Sequence, residues 1–155
     1  MERTSLTRFQ NKLLRAKKVG LDSMIFLYHF ADHKKYAPLT ELLFTLLEED
    51  KIQAVTSMVT ISEVFVRAEE KHDSHTIDSY EAFFRNAPHL EILPIDWHIA
   101  RLGSMLRASY KTLKLPDALQ IAATLMHEFP LFITNDKSLS QVKEVEVVLL
   151  DQYLK

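Results

Sequence analysis

The chain contains no cysteine, which excludes disulfides, thiolate metal sites and cysteine nucleophiles. That absence fits a reducing compartment. Glycine is nearly absent as well: Gly20 and Gly103 are the only two in 155 residues. Glycine-rich phosphate loops and the dinucleotide-binding fingerprint are therefore ruled out. No apolar run approaches the ~20 residues that span a bilayer; the nearest lies between Met24 and Tyr28. The N-terminus is basic but lacks the apolar stretch of a secretory signal. The expectation from these absences is a cytoplasmic protein with no membrane association.

What is present is ordinary in bulk and uneven in detail. Hydrophobic residues make up 47% and charged residues 26%, the balance of a single globular domain with a real core. Residues 1–18 carry Arg3, Arg8, Lys12, Arg15, Lys17 and Lys18 against Glu2, a net +5, which leaves −7 for the remainder. An acidic body does not bind nucleic acid through net charge alone. We divide the chain into a basic N-terminal extension, 1–18, and a domain, 19–155. Within the extension, Leu6, Phe9 and Leu13 have the spacing of an amphipathic helix.

Strand and helix patterns alternate along the domain. Val19–Leu21, Gln53–Ser57, Leu90–Ile95, Leu131–Thr134 and Glu146–Leu150 read as strands. Leu39, Leu42, Leu43, Leu46 and Leu47 mark a helix that Pro38 opens. Further helices are expected over Val59–Glu70, Ile77–Asn86, Asp96 to about Lys111, and Pro116–His127. The last is apolar nearly all round, so deep burial is expected. This alternation predicts an α/β fold, a mostly parallel sheet with helices on both faces. Ligands in such sheets bind at the carboxyl ends of the strands.

Four lone carboxylates stand at the edge of a strand or on a helix, from where they could converge on one edge of the sheet. Asp22 follows Val19-Gly20-Leu21, and Asp136 follows Leu131-Phe132-Ile133-Thr134-Asn135. Asp117 lies in the first turn of a helix, and Glu63 stands in Thr60-Ile61-Ser62-Glu63-Val64-Phe65. Buried carboxylates are costly unless paired or bound to a cation. All-oxygen donors suit Mg²⁺ or Mn²⁺ better than Zn²⁺. Such an ion activates water and neutralises charge on a phosphoryl group, with no Ser or Cys nucleophile needed. Ser23 and Thr134 stand beside the acids, with hydroxyls suited to orienting a carboxylate or a metal-bound water. Taken singly, each acid also fits a plain role as turn residue, helix-start residue or solvated helix residue. Their joint arrangement is the signal.

At these residues the sequence resembles the PIN-domain family, especially the VapC-type toxin nucleases. Leu21-Asp22-Ser23, Ile61-Ser62-Glu63-Val64, Leu115-Pro116-Asp117-Ala118-Leu119-Gln120-Ile121-Ala122-Ala123 and Thr134-Asn135-Asp136 look like its four acidic motifs, in order, across about residues 18–152. The resemblance implies a three-layer α/β/α fold and Mg²⁺- or Mn²⁺-dependent cleavage of RNA. It makes Asp22, Glu63, Asp117 and Asp136 the metal-binding and catalytic acids. It also implies a cognate antitoxin whose segment blocks the site, and a homodimer. A typical short member begins almost at the first strand, so the basic extension is a departure.

Other readings fit these residues less well. A nucleic-acid-binding or scaffold module with a silent site is the alternative, and the four retained acids speak against it. A phosphatase with an aspartyl nucleophile would want a second Asp two residues after the first, where this chain has Met24. His29 with His33, and His72 with His75, have spacings that tempt a zinc reading, but the zinc-protease helix needs Glu where Phe30 stands. Trp97 is expected to anchor the core. No individual residue is assigned to nucleic-acid binding.

Overall fold

The computed structural model describes residues 3–154. In chain order the elements are α1 (Arg3–Ala16), β1 (Lys18–Leu21), α2 (Ser23–Phe30), α3 (Ala37–Glu48), β2 (Gln53–Ser57), α4 (Met58–Glu70), α5 (Ser74–Asn86), β3 (Leu90–Leu93), α6 (Trp97–Ser109), α7 (Leu115–Met126), β4 (Leu131–Thr134) and β5 (Glu146–Leu149). Short 3-10 turns follow β4 and β5, at Lys137–Gln141 and Leu150–Tyr153. The strands form one sheet, ordered β3-β2-β1-β4-β5, and every pairing is parallel.

Strand periodicity distributes the core. Successive side chains of a strand point to opposite faces. Val19 and Leu21 of β1, Ala54 of β2, and Leu131 and Ile133 of β4 join one cluster with Phe9, Phe26, Leu39 and Leu43. Val55 of β2 and Phe132 of β4 join the other, with Ile99, Leu106, Ala118 and Ile121. Helices α1 to α5 thus supply one cluster, and α6 and α7 the other. This is the three-layer arrangement expected from the alternating pattern, with both faces of the sheet covered.

Gly20 belongs to the β1 position that faces α7. A Cβ built there would lie 2.0 Å from Thr124 Oγ1 and 2.6 Å from its Cγ2. Glycine is required because the helix lies on the strand at that point, which brings α7 close against the middle of the sheet.

Local signals fix the element ends. Asp73 and Asp96 cap α5 and α6, accepting from Thr76 N at 3.1 Å and Ile99 N at 2.9 Å. Ser57 caps α4 through Val59 N. Strand β3 stops at Leu93, two residues short of the sequence expectation. Pro94 has no N–H to continue the ladder. Helix α5 begins at Ser74, three residues earlier than expected, because the Asp73 cap precedes it.

Two outcomes concern residues singled out in the sequence. Helix α1 is amphipathic as its spacing predicts, and its apolar face is fully integrated: Phe9 and Leu13 are completely buried. Phe9 packs on Tyr153 with ring centroids 5.0 Å apart, and Lys12 pairs with Glu146. Trp97 corrects an expectation. It is 75% exposed rather than a core anchor. As the first residue of α6 it lies on the opposite side of the helix from Ile99, whose side is the one that packs.

Candidate active site at the carboxyl edge of the sheet

The strand order places the chain's reversal between β1 and β4. From β1 the chain builds outward through β2 to β3, then returns to β4 on the other side of β1. A crevice at the carboxyl ends of two such strands is where open α/β sheets bind ligands. Asp22 leaves β1 there, and Thr134-Asn135-Asp136 leaves β4.

Asp22 is 4% exposed. It caps α2, its Oδ1 accepting from Ser23 N at 2.7 Å, while Thr134 Oγ1 donates to Oδ2 at 2.7 Å. Burial is the main reason its pKa rises from 3.8 to about 6. The Thr134 and Ser23 hydrogen bonds oppose that rise, whereas the charges of Asp117 and Glu63 add to it.

The turn after β4 is pinned residue by residue. Thr134 Oγ1 also accepts from Asp136 N at 3.1 Å. Asn135 donates to Tyr36 Oη at 2.8 Å and accepts from Asp151 N at 3.0 Å. Asp136 Oδ1 accepts from Ser138 N and Oγ, capping the 3-10 turn. Asp136 therefore does fill the turn role considered for it, through one of its two carboxylate oxygens.

Glu63, on α4, accepts from Ser23 Oγ at 2.8 Å. Asp117, half-buried in the first turn of α7, has its pKa raised by burial first and then by the charges of Asp136 and Glu63; Lys114 opposes the rise. Asp22 thus lies within electrostatic reach of Asp117 and Glu63, and Asp117 within reach of Asp136, which links the four acids across 115 positions of sequence. None of the ion pairs among the described residues includes any of them.

This donor set fits a hard divalent cation. The donors are all carboxylate oxygens, one is deeply buried, and the mutual repulsion is only partly offset by Lys114. Among the described residues no three acidic or histidine side chains converge closely enough to enclose an ion by themselves. Mg²⁺ typically leans on one or two carboxylates and completes its shell with water and phosphate. Of the histidines, His29 packs against Phe44 at 4.3 Å, and burial lowers its pKa.

Sequence reasoning did not find the buried polar groups under the acids: Thr56, Ser57, Thr60 and Gln120. The available signal was a glutamine in the middle of an otherwise apolar helix.

An α/β/α domain with acids at the β1–β4 crevice is the general plan of the PIN-domain nucleases. The PIN domain family model matches residues 19–145, and the chain belongs to that family. PIN domains generally use divalent metal ions. No curated protein matches the chain in sequence. Among solved structures, VapBC2 from Rickettsia felis bound to a promoter DNA fragment matches with a TM-score of 0.66 and 15% identity, covering 85% of this chain and 98% of that one. A toxin–antitoxin complex from Klebsiella pneumoniae matches with a TM-score of 0.61 and 25% identity, covering 86% and 97%. DNA-bound VapBC from Salmonella typhimurium matches with a TM-score of 0.64 and 14% identity, covering 86% and 98%. Among the described residues, no helix is long and apolar enough to cross a membrane.

Proposed function

We propose that the chain is a metal-dependent endoribonuclease of the VapC type, the toxin of a toxin–antitoxin pair, acting in the cytoplasm. The observation that carries this reading is the coupling of Asp22 to Asp117 and Glu63, and of Asp117 to Asp136, at one sheet edge, with Asp22 buried and outside the ion pairs of the described residues. Membership of the PIN family and the toxin–antitoxin complexes among the structural neighbours support it. The nuclease domain is 19–155, preceded by the basic segment 1–18.

In this reading the four acids hold Mg²⁺ or Mn²⁺. Bound there, the ion supplies a water of lowered pKa and neutralises charge on the phosphoryl oxygens. The chain's own part is positioning. Thr134 and the Ser23 amide hold the Asp22 carboxylate from two sides, and the Ser23 hydroxyl holds Glu63. Lys114, whose charge reaches Asp117, is a cation that can offer a substrate phosphate a contact.

The partners in this reading are an RNA substrate, a second copy of the chain and an antitoxin. An apolar groove of about 770 Å³ supports the antitoxin assignment. Met58, Ile61, Phe65 and Val66 of α4 line it on both sides of Glu63 in sequence, facing Phe84 of α5. A segment seated there would lie along the helix that carries Glu63.

The second reading is a silent PIN-like module that binds without cutting. The lack of three convergent ligands among the described residues favours it. Incubating the protein with total tRNA and rRNA, in Mn²⁺, Mg²⁺ or EDTA, separates the two. Fragments that need metal and disappear in Asp117→Asn establish the nuclease. Intact RNA together with no Mn²⁺ binding in calorimetry leaves the silent module.

A further inference from the structure

Beneath the acids lies a buried amide that the mechanism above does not use. Gln120 is 1% exposed and stands one turn after Asp117 on α7. Its Oε1 accepts from Ser57 N at 3.2 Å and from Ser57 Oγ at 2.7 Å, with Thr56 Oγ1 at 3.4 Å. Its Nε2 donates to Ser23 Oγ at 3.0 Å and to Thr60 Oγ1. The amide thus joins β2, α2 and α4 to α7.

The direction of these bonds follows from a single group. The Ser57 backbone N–H can only donate, so the amide oxygen must face it. The nitrogen then faces Ser23 and Thr60, and both hydroxyls must accept. Ser23 Oγ, receiving a hydrogen from Gln120, has its own hydrogen left for Glu63 Oε1 at 2.8 Å, ahead of Thr60 Oγ1 at 3.3 Å, which already accepts from Gln120. Thr60 passes its hydrogen to Thr56 Oγ1 at 2.6 Å, and Thr56 passes on to the carbonyl of Leu21 at 2.9 Å. Leu21 immediately precedes Asp22. Among the described residues no buried side-chain polar atom lacks a partner.

We propose that Gln120 is a positioning residue of the site, its amide committing the Ser23 hydroxyl to donate to Glu63 and so fixing that carboxylate. The role as a ligand platform rests on the metal reading above; the orientation of Glu63 does not. A fully satisfied buried network of this kind favours one arrangement over its alternatives. An apolar residue at 120 would release Ser23 to rotate, and Glu63 would lose its donor.

The test reads the Glu63 carboxyl carbon by NMR in metal-free protein at one pH, the resonance being assigned by its loss in Glu63→Gln. Ser23→Ala and Gln120→Met are each expected to move it. In a Ser23→Ala background, adding Gln120→Met is expected to move it no further, because the action passes through Ser23. An unmoved resonance in Gln120→Met, or an equal further displacement in the double variant, overturns the proposal. Gln120→Leu, which also lacks the amide hydrogens and adds no charge, serves if Gln120→Met does not fold. Mn²⁺ titration is the second arm, with affinity expected to fall about 10-fold in Gln120→Met. A wild-type protein that binds no Mn²⁺ overturns the metal reading, while the resonance still decides the positioning.

Discussion

Replacing Asp22 with asparagine is expected to make the metal-free protein more stable at pH 8. A carboxyl moved from 3.8 in the unfolded chain to about 6 in the folded one ionises at a folding cost of about 3 kcal/mol. Asparagine removes that cost. It keeps the Oδ1 that caps α2, but it offers Thr134 an amide where the hydroxyl donated to Oδ2. That lost bond subtracts about 1 kcal/mol. The net gain is about 2 kcal/mol, or about 4–8 °C in melting temperature for a domain of this size. The sign with pH is definite. The folded state binds the Asp22 proton more tightly, so this group's contribution to stability is fully present below 3.8 and is lost as pH rises through about 6. The variant's advantage should therefore be largest above pH 6 and gone by pH 4, where the lost Thr134 bond leaves it slightly the less stable. Thermal unfolding of both proteins in EDTA, followed by circular dichroism from pH 4 to 8, measures it. A variant less stable than wild type at pH 8, or an advantage that persists undiminished at pH 4, refutes the reasoning. Adding Mn²⁺ should raise the melting temperature of wild type and leave the variant unmoved.

Three further perturbations test the packing that holds the site. Gly20→Ala drives a methyl group into Thr124 and is expected to cost ~1–3 kcal/mol in urea unfolding; Thr124→Ala in the same chain, which removes both clashing γ atoms, should recover part of it. Phe9→Ala should cost ~3–5 kcal/mol, because the ring is completely buried against Tyr153; a loss under 1 kcal/mol would show that α1 is dispensable to the fold. Lys17 joins α1 to β1 with φ of 62°. Lys17→Gly is expected to raise stability by up to ~1 kcal/mol, read as a higher urea midpoint at unchanged slope.

The layered fold was legible because it rests on burial periodicity, which is written in one dimension. The alternation of β1, β2 and β4 residues between the two core clusters is visible as runs of Val, Leu and Ile, and Leu39 to Leu47 carry helical spacing. The placement of Asp22 and Asp117 was legible for a related reason: an acid directly after an apolar strand, or at the start of an apolar helix that leads into a parallel strand, lies at the carboxyl edge. Glu63, in the middle of α4, carries no such signal. Hydroxyl and amide partners were not legible. Thr56, Ser57 and Thr60 fit a solvated strand end and helix start equally well. Only the approach of α7 to β1, which Gly20 permits, turns them toward Gln120. Trp97 misled because size suggested burial, whereas the Asp96 cap fixes the phase of α6 and leaves the ring outside. The basic segment read as an extension by charge, yet Phe9 and Leu13 settle in the same cluster as Val19 and Leu21.

The position of that ring has a practical consequence for spectroscopy. Trp97 is the only tryptophan in the chain, and the native fold already leaves it in water. Its emission should therefore barely shift on denaturation, so indole fluorescence is a poor monitor of folding here. The same property makes it a clean reporter of association. The indole sits at the exposed start of α6, and any macromolecule that covers that corner should blue-shift the emission and shield it from iodide. The natural sequence thus carries its own optical probe, silent to unfolding and responsive to contact.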